Sequence, residues 1–296
     1  MKLGIIGAGV VGTAIGVVLN DKGYEITGVY DINPESSKEL AKRVGCISYP
    51  SPQEVSRSAD IIFITTSDSA IEDVVNRMAD HDAFRAGQVI VHMSGAQSSE
   101  VLDRAKSFGA LVLSVHPLQS FASVERAVAI LPGSIFSIEG DQEAYDIAVG
   151  IVETLGGEYF FIDREAKPLY HAGACVVSNY LVTLIDLGIK LLESTGIPRH
   201  KALRALLPLI TGTMNNVQKI GIPGALTGPI ARGDLSTVIK HLDCLEEVTP
   251  EFLKLYSLLG FHTSQVAVEK GSINRQSMEE LQKLFNERLQ QVVNIN

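Results

Sequence analysis

The sequence has few cysteines, and their placement excludes a disulfide framework and a zinc site. Cys46, Cys175 and Cys244 are odd in number, lie far apart and form no CxxC pair. Disulfide-stapled domains and zinc sites both need paired or clustered thiols. We therefore expect reduced thiols in a cytoplasmic protein and no bound metal.

The sequence also lacks an excess of positive charge. Its 25 Lys and Arg residues face 34 Asp and Glu residues, which gives a net charge of −9. Nucleic acids and anionic membranes would be repelled by such a chain, so neither is an expected partner. A small anionic substrate would need a local cluster of donors. The 46% of hydrophobic residues and 20% of charged residues indicate a globular chain and not a disordered one.

Long uninterrupted apolar segments are lacking as well. Residues 3–19 are apolar and follow Lys2, as in a signal peptide, but glycines interrupt them and no small-residue cleavage site follows. The interpretation that we favour is a strand, a glycine turn and a helix. We expect no other stretch to be long enough to span a bilayer.

Strand and helix patterns alternate in the first half of the chain. The β-rich runs are residues 2–6, 25–30, 60–65, 88–92, 111–116, 135–138 and 159–162. This alternation predicts a doubly wound, mainly parallel α/β sheet of the Rossmann type. After residue 163 the strand signal stops and five helix-like segments follow, the first of them over residues 171–195. We expect two domains, residues 1–163 and an all-helical domain of residues 164–296.

The turn after the first strand carries the motif Gly7-Ala8-Gly9-Val10-Val11-Gly12. Glycines at this spacing permit a tight turn, close approach of the backbone to a pyrophosphate and close packing of helix on strand. The helix N-terminus that follows attracts the phosphates. Asp31 ends the next strand, where a carboxylate can accept hydrogen bonds from ribose hydroxyls. The motif predicts an NAD(P) site in the first domain; the alternative is a plain glycine turn in which Asp31 caps a turn.

The residues beside Asp31 bear on the choice of cofactor. Its carboxylate would repel a 2′-phosphate, and neither Ile32 nor Asn33 supplies a cation. We therefore favour NAD over NADP, with Lys38 or Arg43 as cations that could reverse the preference.

Other strand ends should meet at the same edge of the sheet, where ligands bind in such folds. Thr65, Thr66 and Ser67 follow one strand, and Ser94 and Gly95 follow the next. We expect them to line the nicotinamide half of the site. A second interpretation of the first segment is a capping box in which Ser69 and Glu72 begin a helix.

Basic side chains near the predicted domain boundary are candidates for chemistry. His116 ends a late strand, where a histidine could position a carbonyl or donate a proton; otherwise it is an ordinary loop histidine. Lys167 precedes Pro168, which starts a helix, and His171 follows one turn later. Reduction of a ketone leaves an alkoxide, which Lys167 could protonate or stabilise. The alternative for Lys167 is a solvated lysine at a helix start.

Three motifs resemble those of one family: "HPLQSF" after a late strand, "KPLYHAGACVVSN" at the start of the helical half, and "ALTGPIARGD" with His241 downstream. That family comprises proteins classed as NAD(P)-dependent oxidoreductases, with a Rossmann-like domain and a helical domain of unassigned function. It is similar in fold to 6-phosphogluconate and 3-hydroxyacid dehydrogenases, pyrroline-5-carboxylate reductase and ketopantoate reductase.

The resemblance implies a catalytic lysine near the start of the helical domain, with an asparagine one turn later. Lys167 matches the lysine, but the residue one turn on is His171, and Asn179 comes only two turns after that. Either could take the role of the asparagine.

The resemblance also implies that a segment of the helical domain closes over the substrate carboxylate. "LTGPIARGD" fits such a lid, because its glycines permit sharp turns and Arg232 offers a bidentate fork. Thr227, Asp234 and His241 are further substrate-binding candidates. Asp234 could instead be the N-cap of the next helix, and Arg232 could pair with a surface carboxylate.

These features predict an NAD(P)-dependent oxidoreductase that acts on a small oxo or hydroxy carboxylate, such as a ketopantoate-like acid, in a cleft between the two halves. The alternatives are an imine reductase of the pyrroline-5-carboxylate type and a non-catalytic, redox-sensing NAD(P)-binding protein. The apolar helical half also predicts a homodimer.

Overall fold

A computed structural model describes residues 1–293 and divides the chain into two compact units, of which the first ends at Asn179. The first unit is built on one eight-stranded sheet. Its strands are β1 Lys2–Ile6, β2 Glu25–Tyr30, β3 Ile47–Ser48, β4 Ile61–Ile64, β5 Val89–His92, β6 Leu111–Pro117, β7 Ile135–Gly140 and β8 Glu158–Phe161. Their order in space is β3-β2-β1-β4-β5-β6-β7-β8, and every neighbouring pair is parallel except β6 with β7. The predicted Rossmann-type sheet is confirmed.

Both faces of this sheet are covered, as the continuous apolar runs of its strands require. Leu3, Ile5 and Phe63 belong to a core cluster on one face, while Ile6 and Ile62 belong to a cluster on the other. The covering helices of the first unit are α1 Val10–Asp21, α2 Pro34–Val44, α3 Pro52–Ser58, α4 Asp68–Ala79, α5 Asp103–Lys106, α6 Val124–Ile130, α7 Tyr145–Thr154 and α8 Lys167–Val177. Residues 3–19 thus form β1, a turn and α1, as we favoured.

The structure shows how two helices that cover the sheet begin, and one of them lacks the predicted cap. Asn33 caps α2 by accepting a hydrogen bond from the N–H of Glu35 at 3.1 Å. By contrast, α4 begins at Asp68 with Ser67 in the cap position and no side-chain cap bond. The capping box of Ser69 and Glu72 was therefore wrong, because Ser69 already lies inside the helix.

The second half of the chain is helical, as predicted. Its helices are α9 Asn179–Glu193, α10 Arg199–Ile220, α11 Leu235–Val248, α12 Pro250–Glu269 and α13 Arg275–Val293. The core of the second unit joins Val238 and Leu242 of α11 to Leu281 and Phe285 of α13. The Phe285 ring packs directly on Gly260, where a Cβ would overlap it, so α12 and α13 approach closely.

The predicted helix over residues 171–195 is broken at Ser178. This residue has φ −111° and ψ −73°, and it separates α8 from α9. We expected the domain boundary at residue 163, where the strands indeed end. The compact units divide only after Asn179, because α8 carries a lysine that is buried against the sheet of the first unit.

The expectation that only residues 3–19 could be confused with a membrane segment was wrong. Within the described part of the chain, Arg164–Glu193 is also long and apolar enough, by length and composition alone, to cross a membrane. The same segment contains the break at Ser178 and the fully buried Lys167. The segment also exposes large apolar side chains, among them Leu169, Val177 and Val182.

Candidate active site

The glycine turn joins β1 to α1 in close contact with the end of β4. Gly7 has φ +104°, and Thr65 Oγ1 donates to its carbonyl oxygen at 2.7 Å. A Cβ at Gly12 would overlap that carbonyl oxygen and Thr65 Oγ1, so only glycine fits there. A Cβ at Gly9 would meet nothing within 4 Å. The first and last glycines of the motif therefore serve packing, while Gly9 leaves the helix N-terminus open to a ligand.

A cavity of about 370 Å³ lies beside this turn, at the carboxyl ends of β1 and β4. Ligands bind at this position in doubly wound sheets, because the connections diverge there. Six of the predicted cofactor residues line the cavity: Gly7, Gly9, Asp31, Thr65, Thr66 and Ser67. The open space above Gly9 and the free amides at the start of α1 fit the pyrophosphate of a dinucleotide.

Asp31 is fixed at the rim of the cavity by two backbone groups. Its Oδ2 accepts from the N–H of Ala8 at 2.6 Å, and its Oδ1 accepts from the N–H of Asn33 at 2.8 Å. The carboxylate thus ties the glycine turn to the β2–α2 turn while it lines the cavity. Asn33 itself serves as the cap of α2.

The sequence analysis missed the face of α4 that lines the same cavity. Ala70, Val74 and Arg77 lie at successive turns of this helix, opposite Ile32, which is 88% exposed. Arg77 supplies the cavity with a cationic side chain. By contrast, Lys38, which we considered for this role, pairs with Glu35 at 2.9 Å. The signal that could have found Arg77 is its helical spacing from Ala70 and Val74.

A strip of buried polar side chains crosses β5, β6 and β7 along the same edge of the sheet. Ser114 and His116 alternate on β6, opposite Glu139 and Ser137 on β7, and Ser114 also pairs with His92 on β5. Such polar residues on a covered sheet face need partners. Helix α8 provides them for Ser114 and His116.

Lys167 is fully buried and reaches this strip. Its Nζ donates to Ser114 Oγ at 2.7 Å and to the carbonyl oxygen of Ser94 at 3.1 Å. Burial lowers the pKa of the amine to about 8, against the opposing charges of Glu139 and Asp68. The prediction of a solvated lysine is wrong: the structure places a desolvated cation beneath the ends of β5 and β6.

His116 lies beside this cation and is held by α8. Its Nδ1 is 2.8 Å from the Tyr170 hydroxyl, and the two rings meet edge to face. Burial, then the charges of Lys167 and His171, lower the pKa of His116 to about 4. The imidazole is therefore neutral at physiological pH.

Gly95 brings the two predicted histidines together. A Cβ on this glycine would lie 2.7 Å from His116 Nε2 and 2.8 Å from His171 Cδ2. Both imidazoles thus pack on its backbone, where no larger residue fits. Ser94 and Gly95, which we predicted to line the nicotinamide half, lie in this cluster, whereas the lining of the cavity beside the glycine turn does not include them.

Further side chains that the sequence analysis missed pin the loop that carries Ser94 and Gly95. His92 Nδ1 accepts from the N–H of Ser94 at 3.1 Å, and its Nε2 lies 3.1 Å from the carbonyl oxygen of Ser98. The carboxylate of Glu139 accepts from the N–H and the hydroxyl of Ser99 at 2.7 and 2.6 Å. Polar residues at every second position of β6 and β7 were the signal for this strip.

Asn179 takes no part in the contacts that join Lys167, His116 and His171. The break at Ser178 interrupts the helical projection on which its predicted position depended, and Asn179 is exposed at the start of α9. His171 instead has Cys175 one turn away, with Sγ 3.9 Å from both ring nitrogens.

The remaining predicted residues lie in the second unit, in and after a compact turn. Thr227 and Arg232 are exposed, and Arg232 forms no ion pair with any residue from 1 to 293. Asp234 caps α11: it accepts from the N–H of Thr237 at 3.1 Å and from its hydroxyl at 2.6 Å, and these bonds lower the pKa of Asp234 to about 2. His241 Nδ1 lies 2.8 Å from the Tyr256 hydroxyl. The cap alternative for Asp234 is thus confirmed.

Comparison with known proteins agrees with this architecture. Residues 1–117 match a Rossmann-like domain, and residues 134–263 match the domain of unknown function DUF2520. None of the curated proteins matches the chain.

Three solved structures are similar along most of the chain. A candidate NADP oxidoreductase, BF3122 from Bacteroides fragilis, is 26% identical with a TM-score of 0.72, over 89% of this chain and 98% of that one. Protein TM1727 from Thermotoga maritima is 25% identical with a TM-score of 0.68, over 98% of both chains. A 1-pyrroline-5-carboxylate reductase from Streptococcus pyogenes is 19% identical with a TM-score of 0.58, over 96% of this chain and 98% of that one, which shows a shared fold. The chain therefore consists of a Rossmann-like domain followed by a DUF2520 helical domain.

Proposed function

We propose that this protein is an NAD(P)-dependent oxidoreductase that transfers hydride between nicotinamide and a small oxo or hydroxy carboxylate. The observation that carries the proposal is the arrangement along one sheet edge. A glycine-lined cavity at the ends of β1 and β4 is followed, at the end of β6, by His116 and by two side chains of α8, the buried Lys167 and His171. The similarity to a candidate NADP oxidoreductase supports it.

The exposure of each residue in the first unit indicates its role in the proposed reaction. His116 and His171 are partly exposed and orient the substrate oxygen, with His171 in the role of the family's asparagine. Lys167 is fully buried, so it acts on the developing oxyanion through its charge and not by contact. When bound, the nicotinamide supplies or accepts the hydride. Arg232 of the second unit, which forms no ion pair with residues 1–293, stays the candidate that the sequence suggests for binding a carboxylate.

The cofactor preference is a further part of the proposal. The sequence analysis favoured NAD because the Asp31 carboxylate would repel a 2′-phosphate, whereas Arg77 in the same cavity offers that phosphate a cation. Because Asp31 already accepts two backbone N–H groups, its charge is partly compensated. We propose that both cofactors bind, with Asp31 and Arg77 setting their ratio.

Imine reduction is the second candidate, favoured by the fold shared with a pyrroline-5-carboxylate reductase. An iminium ion gains no negative charge on accepting hydride, so the buried lysine would be surplus in that reaction. The arrangement around Lys167 therefore supports carbonyl reduction better. A redox sensor would use the same cavity but show no turnover.

We also propose that the protein is a cytoplasmic homodimer formed through the helical half. Helices α9 and α10 expose large apolar side chains, including Val182 at 68% and Leu209 at 65%. A second copy would cover such a patch. Light scattering in detergent-free buffer tests this: a monomer, or a protein that needs detergent, would overturn it.

Turnover assays test the main proposal. The protein is mixed with NADH or NADPH and either a panel of small oxo acids, including ketopantoate, or cyclic imines. Loss of the reduced cofactor with an oxo acid supports the proposal, and loss only with imines supports the second candidate. Cofactor binding without turnover on either panel contradicts both.

A further inference from the structure

The Tyr170 hydroxyl and His116 Nδ1 form a pair that the sequence analysis did not identify. The oxygen and nitrogen are 2.8 Å apart, and the ring centroids are 5.7 Å apart at 85°. Tyr170 lies on α8, one turn after Lys167, so the same helix that buries the cation also supplies this hydroxyl. The pair joins α8 to the end of β6.

The acidity of the two groups decides whether Tyr170 or His116 donates the hydrogen bond. Ser137 on β7 pairs with His116 on β6, and its hydroxyl lies close enough to Tyr170 to lower the pKa of the phenol in part. A phenol is a stronger acid than a neutral imidazole, and an imidazole nitrogen is a stronger base than a phenol oxygen, so the Tyr170 hydroxyl donates to His116 Nδ1. Burial raises the pKa of Tyr170, so the phenol keeps this proton at neutral pH.

A donor at Nδ1 fixes the tautomer of a neutral imidazole. With Nδ1 accepting, the remaining proton of His116 is on Nε2, the atom that packs against Gly95 at the open end of the strip. A neutral imidazole that presents N–H in this way can polarise a carbonyl. It would become a high-energy imidazolate if it gave up that proton without receiving another.

We propose that Tyr170 is a positioning residue that holds His116 in the Nε2–H tautomer and replaces the proton that His116 gives to the substrate oxygen. This inference rests on the proposed function. As the carbonyl carbon gains hydride, the C=O π electron pair moves to oxygen, which takes the Nε2 proton. The Tyr170 proton moves to Nδ1, so His116 remains neutral and the phenolate carries the charge.

Lys167 is placed to stabilise that phenolate. Its Nζ lies 5.8 Å from the centroid of the Tyr170 ring. A buried cation at this distance favours the phenolate over the phenol. Before the next turnover, solvent returns a proton to His116 Nε2 and the Nδ1 proton goes back to the phenolate, which restores the starting tautomer. The geometry thus suits reduction of a carbonyl, which needs a proton at oxygen, more than reduction of a preformed iminium ion.

Nitrogen NMR of the histidine side chains tests the tautomer without any substrate. In ¹⁵N-labelled protein at neutral pH, long-range proton–nitrogen correlations report which ring nitrogen is protonated, and His116→Gln assigns the signals. The inference expects a protonated Nε2 and an unprotonated Nδ1. A protonated Nδ1 in the unaltered protein would overturn it, even if Tyr170→Phe failed to fold.

Kinetics of Tyr170→Phe test the relay once a substrate is known. We expect kcat to fall at least about tenfold, with KM and the cofactor Kd within twofold, and the solvent isotope effect on kcat to change. Tyr145→Phe is the matched control, because the Tyr145 ring stacks on Phe161 with the centroids 4.5 Å apart, whereas the hydroxyl that meets His116 belongs to Tyr170. If kcat is unchanged in Tyr170→Phe although NMR shows the expected tautomer, the hydrogen bond between Tyr170 and His116 serves only the structure, and the relay is overturned. If no substrate turns over, the proposed function fails, whereas the tautomer is still decided by NMR.

Discussion

Lys167 Nζ donates a hydrogen bond of 2.7 Å to Ser114 Oγ and thereby places a cation from α8 beneath the end of β6. The two residues lie on elements separated in the chain by α6, β7, α7 and β8. Burying an amine costs free energy of desolvation, which packing alone does not repay. We therefore expect the chemistry of the first unit to take place at this contact.

Replacing the buried amine should separate turnover from cofactor binding. In Lys167→Met the apolar stem remains while the charge is lost, so we expect turnover to fall by roughly 10²-fold or more. The Kd for NADPH should stay within twofold, since the cavity lining does not include Lys167. Lys22→Met, at the exposed end of α1, is the control. Equal turnover in both variants would remove Lys167 from the mechanism.

The lowered pKa of Lys167 should make stability and turnover depend on pH in opposite directions. The folded amine loses its proton near pH 8 and the unfolded amine near pH 10.5. Between these values the unfolded chain binds more protons, so the free energy of unfolding rises with pH, by an amount on the order of 3 kcal/mol. Turnover should fall as the pH rises through about 8, where the folded protein loses the cation.

This titration occurs among several charged or titratable groups. His92 on β5, His116 on β6, Tyr170 on α8, Glu139 on β7 and Asp68 on α4 all face or influence the amine. Denaturant unfolding at several pH values, with Lys167→Met as the reference, isolates its contribution. The same pH profile in both proteins would assign the change to another group.

Two alanine variants of the glycine turn should have different effects. Gly12→Ala places a Cβ on the Gly7 carbonyl oxygen, so we expect a loss of several degrees in Tm together with weakened cofactor binding. At Gly9 a Cβ meets only open space and φ is −75°. Gly9→Ala should therefore keep its Tm and bind NADPH at least about tenfold more weakly. Unaltered binding in Gly9→Ala would mean that no pyrophosphate approaches this turn.

The ratio of NADH to NADPH affinity should respond to both charged residues of the cavity. Asp31→Asn removes the charge that repels a 2′-phosphate and should shift the ratio toward NADPH by about tenfold. Arg77→Gln should shift it toward NADH. Fluorescence titration of each reduced cofactor measures the two ratios, with Lys42→Gln on α2 as a control for charge alone. Ratios that do not move would place the ribose elsewhere.

The features that the sequence predicted well are those with a local pattern. The five long parallel strands follow from β-branched runs, and Asp234 followed from the rule that acidic residues cap helices. Strand β3 and helices α3 and α6 were missed because each is too short for its period to emerge. The helix break at Ser178 could not be predicted, because no glycine or proline lies beside it.

The site divided in the same way. Lys167, His116 and His171 were identified as polar residues at element ends, and the structure brings them together. Their supports, Ser114, Tyr170 and Glu139, needed knowledge of the antiparallel pairing of β6 with β7 and of the docking of α8. These are tertiary relationships, which no local pattern encodes.

Isotope transfer tests the central claim most directly. The protein is incubated with each small oxo acid in turn and with NADPH or NADH that carries deuterium at C4 of the nicotinamide. The masses of the products are then measured by mass spectrometry. We predict one deuterium on the former carbonyl carbon of at least one acid, and none when Lys167→Met replaces the unaltered protein. Tight cofactor binding with no deuterium in any oxo-acid product would contradict the proposed oxidoreductase.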